Sequence, residues 1–206
     1  MGFAVNLARP GGNMTGVVID AGIEISEKRF ELLREVVPTA ATVAFAVARQ
    51  YWDHPYGRAV QHAAQKTGIV LTLFEIPVPA QEAEYCRTFA TLREQGIGAL
   101  AMNDGPGALV YRQLIVQLVE EARVPTVYPF REFVNVGGLM AYAVELRSLH
   151  VHAARQVDQI LKGAKPGEIP FYQPTKFEVA INLKAVKTLG LTVPPSLLAR
   201  ADEVIE

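Results

Sequence analysis

The chain has 206 residues, half of them hydrophobic and a fifth charged, and carries a formal net charge of −1. That length can bury a real core in one large or two small domains. The near-neutral balance excludes a basic nucleic-acid-binding domain and offers nothing to an anionic membrane surface.

Cys86 is the only cysteine, so no intrachain disulfide forms, and its place in the helical pattern "AEYCRTFATL" suits a small core residue. No apolar run approaches the roughly 20 residues of a membrane-spanning helix. The opening "MGFAVNLARPGG" lacks a basic segment followed by a long apolar run, so it does not read as an export signal. Pro10, Gly11 and Gly12 punctuate a turn, and "ARPGGNMTG" reads as a connection between structural units.

From Thr15 the pattern alternates. "TGVVID" predicts a strand, and "EISEKRFELLREVVP" a helix with Ile25, Phe30, Leu33 and Val37 near one face. "TVAFAVA" is apolar on both faces, as a covered parallel strand requires. Three further helix–strand pairs follow: "YGRAVQHAAQKTG" with "IVLTLFEI", "QEAEYCRTFATLREQG" with "GALAMN", and "GALVYRQLIVQLVEEA" with "VPTVYP". This succession predicts an α/β fold with a doubly wound parallel sheet.

After Tyr128 the rhythm changes. "FREFVNVGG" is a short irregular or helical piece, "LMAYAV" a strand, and "ELRSLHVHAARQVDQILKG" a long helix. On that helix Leu149, Ala153, Val157, Ile160 and Leu161 form the expected apolar face, with Gln156 on the polar one. A proline-rich connector, the strand "KFEVAINL", the short helix "KAVKTLG" and a tail with prolines at a helix start complete the chain.

Ligands of open parallel sheets bind beyond the carboxyl ends of the strands, which selects four loops. Arg49–His54 holds Tyr51 and the only tryptophan, Trp52, an aromatic pair that suits either an apolar ligand body or packing on a neighbouring helix. Asn103 and Asp104 can direct hydrogen bonds to an amine or hydroxyl, and Gly105 opens the backbone to a ligand; Asp104 can equally cap a helix. Phe130, Arg131 and Phe133 form another aromatic and charged cluster, or else a structural corner. The loop after "LTLFEI" offers little beyond Pro77 and Pro79 and receives no role. No nucleophile turn, Walker sequence or zinc-spaced Cys/His set is present, so no catalytic residue, metal or cofactor is expected.

"LARPGGNMTGV", "KRFELLREVVP", "VPTVYPFREFVNVGGLMAYAV" and the stretch from "AARQVDQILKG" to the C-terminus together resemble substrate-binding components of ABC transporters. The similar subfamily is associated with tryptophan- and tyrosine-type uptake and has a type I periplasmic-binding fold. The likeness covers nearly the whole chain and is most specific from Lys162 to Glu206. It implies non-catalytic binding of a small organic solute, an aromatic amino acid as ligand class, an ABC permease as partner and a periplasmic or exported location. Without a signal in the chain itself, a start at Met1 would instead leave the protein cytoplasmic. In that reading Tyr51, Trp52, Phe130 and Phe133 sandwich the apolar part of the ligand, while Asn103, Asp104, Gly105 and Arg131 hold its polar ends. Relatives commonly place Asn and Pro where this chain has Arg49, Gln50 and Tyr51, a departure that bears on ligand identity.

The resemblance further implies that residues 1–14 are an interlobe crossover, 15–137 a second lobe, and 138–206 a segment returning to an incomplete first lobe. A return segment with nothing to cover it predicts a homodimer. The alternatives are a ligand-sensing regulatory domain of the same fold and, third, a small-molecule enzyme.

Overall fold

The computed structural model describes residues 4–19 and 22–206, and the chain divides into two compact units. The larger comprises Ile23–Ala143 and Glu178–Glu206; the smaller comprises the segment ending at Gly22 and Val144–Phe177.

The larger unit opens with helix α1 (Ile23–Val36), whose face of Ile25, Phe30, Leu32, Leu33 and Val36 is buried. Burying each large side chain of that face stabilises the fold by about 1.5–3 kcal/mol. Next come β1 (Thr42–Val47), the short α2 (Arg49–Trp52), α3 (Pro55–Lys66), β2 (Val70–Glu75) and α4 (Glu82–Ala90). They are followed by β3 (Leu100–Met102), α5 (Pro106–Val110), α6 (Arg112–Ala122), β4 (Thr126–Tyr128), α7 (Arg131–Val134) and β5 (Met140–Val144). After the long α8 (Leu146–Leu161), the chain adds β6 (Phe177–Asn182), α9 (Leu183–Leu189), α10 (Pro195–Leu198) and β7 (Glu203–Ile205).

The seven strands form one sheet in the order β2-β1-β3-β4-β5-β6-β7. β1 pairs in parallel with β2 and β3, β3 with β4, β4 with β5, and β6 with β7. Asn182 N–H at the end of β6 donates to the Leu139 carbonyl at the start of β5 (2.9 Å), so β6 runs against its neighbour. Parallel strands covered on both faces should be apolar throughout, and β1, β3 and β4 bury all but Thr42 of their residues.

This corrects the reading of the C-terminal region. "LMAYAV" and "KFEVAINL" do not leave to complete another lobe; both are strands of the main sheet, with Met140, Ala141, Val179, Ala180 and Ile181 buried. The change of rhythm after Tyr128 is only a tight corner: Gly137 takes φ +112°, and the chain re-enters the sheet at once. The unit boundaries lie at 22/23, 143/144 and 177/178 rather than after residues 14 and 137. Of the two features behind the expected homodimer, the strands are taken up in this sheet, while Val157, Ile160 and Leu161 of the helix are exposed.

In the smaller unit the strand expected over "TGVVID" is reduced to a parallel bridge between Val17 and Tyr172; Asp20 lies outside the described residues, as do Met1–Phe3 of the expected crossover. Tyr172 accepts from Val18 N–H and donates to the Gly16 carbonyl, both at 2.9 Å. Its ring stacks on His152 of α8, with centroids 3.5 Å apart. One helical turn on, Gln156 is buried and its Nε2 donates to the carbonyls of Gly16 and Pro170, each at 3.0 Å. The polar face expected at Gln156 is therefore the packed one, while Val157, Ile160 and Leu161 are exposed. Gln156→Ala removes the side-chain donor that these two carbonyls share and is expected to cost about 1–3 kcal/mol; faster amide exchange at residues 16–18, 171 and 172 is the measurement.

Candidate functional site

A cleft of about 360 Å³ opens at the carboxyl ends of β1, β2 and β3 in the larger unit. Three segments build it. Ala46, Val47 and Ala48 end β1 and lead to Gln50 and Tyr51 on α2; Ile76 to Ala80 follow β2; Met102, Asn103 and Gly105 follow β3. Tyr85 on α4 closes one side, and Gly107 and Ala108 of α5 another. No charged side chain lines it, so its chemistry is an apolar surface with an amide at Gln50, an amide at Asn103 and two phenols.

Each wall is fixed by its own contacts. Arg49 forks onto Glu75 (Nη2 2.7 Å, Nε 3.1 Å), tying the end of β1 to the end of β2. Asn103 N–H donates to the Ala46 carbonyl at 3.1 Å, which carries the sheet pairing one residue beyond β3. At the head of α4 the Glu84 carboxylate accepts Gln81 N–H at 3.0 Å, and this hydrogen bond holds its carboxyl below the usual carboxylate range. Tyr85, the next residue, is thus set at a fixed helix start; burial pushes its phenol up, with Tyr111 at a ring distance of 5.2 Å adding to the shift.

Of the residues expected at the site, Tyr51, Asn103 and Gly105 line the cleft together. Asp104 stands between two lining residues, half-buried, and does not line the cleft itself. Trp52 turns away from it and packs against Phe45, with ring centroids 6.5 Å apart. Phe130 and Phe133 are buried in the core, Phe133 stacked on Tyr128 at 5.0 Å. Arg131 pairs with Glu178 at 3.2 Å and with Glu203. The loop after β4 is the structural corner, and its side chains do not share the cleft.

The family model for ABC transporter substrate binding proteins matches residues 2–205. The chain belongs to that family. Its members are solute-binding proteins rather than enzymes, and they work with a small-molecule solute and an ABC permease. Among solved structures the chain is similar to an ABC domain from Streptococcus pneumonia in complex with L-Trp, at 24% identity and TM-score 0.84, covering 98% of this chain and 67% of that one. A conserved domain protein from Vibrio cholerae is similar at 20% identity and TM-score 0.82, covering 98% of this chain and 66% of that one. A substrate binding protein with adhesive properties from Clostridium difficile, in its ligand-free, open form, is similar at 18% identity and TM-score 0.64, covering 99% and 66%. The chain thus spans about two thirds of the length of each. No curated protein matches it in sequence. These likenesses show the fold, a periplasmic-binding-protein-like α/β arrangement.

Two features of the family member escaped the reading of its sequence. The Ile76–Ala80 loop forms a full wall of the cleft, although its prolines and aliphatics carry no polar signal; its place at the carboxyl end of β2 was the available clue. The second is Arg29 on α1, which is 5% exposed. Its Nε donates to the Tyr142 carbonyl at 2.8 Å and its Nη2 to the Pro129 carbonyl at 3.1 Å. Among the described residues no carboxylate forms an ion pair with it. Burial lowers its pKa, and Asp104 is the strongest charge opposing that shift. A helical arginine beside Phe30 looks like an ordinary flank in sequence, and nothing there announces its burial.

Among the described residues no group of His, Cys, Asp and Glu side chains converges as a metal site, and no helix is long and apolar enough to cross a membrane.

Proposed function

We propose that the larger unit binds a small organic solute with an apolar, aromatic-sized body in the cleft at the ends of β1, β2 and β3, for delivery to an ABC permease outside the cytoplasmic membrane. The observation that carries this is the lining: about 360 Å³ walled by aliphatic and tyrosine side chains, with amides but no charges. Sugars and other polyols need several convergent polar side chains, which the cleft does not supply. An aromatic amino acid fits the lining, and the L-Trp held by the pneumococcal relative makes L-tryptophan the first probe. Tyr51 and Tyr85 flank the apolar body, and Asn103 and the backbone at Gly105 hold a polar end. Asp104, between them in sequence, carries a carboxylate for an amine.

Titration calorimetry with L-tryptophan tests the reading. Tyr51→Ala and Asn103→Ala should each weaken binding by about 1–3 kcal/mol, with the melting temperature little changed because Tyr51 is half exposed. Trp52→Ala should do the reverse, lowering stability while the folded protein keeps its affinity. Equal affinity in all three variants would remove the cleft from consideration.

A further inference from the structure

The chain passes between the two units three times, at 22/23, 143/144 and 177/178. In the larger unit the residues beside these crossings converge on one short segment. Arg29, on the helix that starts at the first crossing, donates to the carbonyl of Tyr142, next to the second, and to that of Pro129. Two residues beyond Pro129, Arg131 binds Glu178, the first residue after the third crossing, and Glu203 of β7. Between them Phe130 is buried and keeps the segment in the core.

The geometry points to Pro129–Arg131 as a coupling node, with Arg29 and Arg131 as positioning residues that tie all three crossings together on the side of the solute-binding unit. The loop that the sequence offered as a ligand contact thus acts at a distance from the ligand. Arg29 suits the task because a guanidinium can donate to two carbonyls in different directions. Arg131 suits it because its fork reaches two carboxylates on neighbouring strands. The consequence is that a disturbance at one crossing is felt at the other two, while β1 and β2, across the sheet, are indifferent.

The test is hydrogen exchange on the full chain, comparing Arg131→Met with the parent. Arg131 is partly exposed, so the variant is expected to fold. Exchange should quicken about tenfold in three places: 178–182, 139–143 and the first turns of α1, with 42–47 and 70–75 unchanged. Arg131→Lys, which keeps one charge but loses the fork, should fall between the two. Faster exchange confined to 178–182 and 203–205 overturns the node, since Arg131 would then be an ordinary local ion pair. Uniformly faster exchange, β1 and β2 included, overturns it too, because that is plain loss of stability. The affinity arm rests on the solute-binding reading: Arg131→Met should weaken L-tryptophan binding severalfold from outside the cleft. If the parent binds no L-tryptophan, the proposed ligand fails and the exchange result still decides the node.

Discussion

Gly57→Ala is expected to destabilise the protein by about 3 kcal/mol and to weaken solute binding in the same variant. Gly57 is the third residue of α3, and a Cβ there would stand 2.2 Å from the Tyr51 carbonyl oxygen and 2.4 Å from that of Trp52. Both obstacles are backbone, so no side chain can swing aside to make room. Helix α2 would have to move off α3, straining the turn over Asp53 and His54 in which Arg58 Nη1 donates to the Asp53 carbonyl at 2.6 Å. The site is affected because Tyr51, whose backbone must retreat, is a wall of the cleft. For a chain of this size the loss corresponds to roughly 6–12 °C in melting temperature. A thermal melt within about 2 °C of the parent would show that α2 is free to shift, and would remove the coupling between this turn and the cleft.

The same turn shows how far the sequence reaches. The covered strands were legible because runs such as "TVAFAV" are apolar on both faces, and only a parallel sheet between helices accommodates that. The end of the sheet at which a cleft would open followed from strand direction alone, and Tyr51, Asn103 and Gly105, expected on that ground, line the cleft. Which side of a loop a residue faces was not legible. Tyr51 and Trp52 are adjacent in sequence and aromatic, yet one lines the cleft and the other packs on Phe45. Helix α2, too short to show any periodicity, decides between them. The Ile76–Ala80 wall was invisible for the opposite reason: it contributes shape rather than a chemical group. Arg29 and Gln156 were missed because a buried polar side chain is identified by its partners, and those partners are backbone carbonyls outside its own helix.

Phe133→Ala carries the largest expected loss, about 3–5 kcal/mol, with solute affinity of the folded protein within about twofold of the parent. The ring is fully buried and lies nearly parallel to Tyr128, at 5.0 Å and 14°. Its carbonyl accepts from Val136 N–H at 3.3 Å and Gly138 N–H at 2.9 Å, so α7 and the corner behind it close directly over the stack. Gly138 is required for that closure, since a Cβ there would lie 2.7 Å from the Tyr128 ring. Tyr128 is itself buried, and burial pushes its phenol well up. Truncation therefore leaves a cavity beneath a rigid corner, the circumstance in which large-to-small changes cost most. A ligand-sandwiching phenylalanine predicts the opposite pair of results, an affinity lost and a stability kept. Denaturant unfolding read together with calorimetry separates the two: a lowered midpoint at constant slope with binding retained places Phe133 in the core, and an unmoved midpoint with binding abolished returns it to the site.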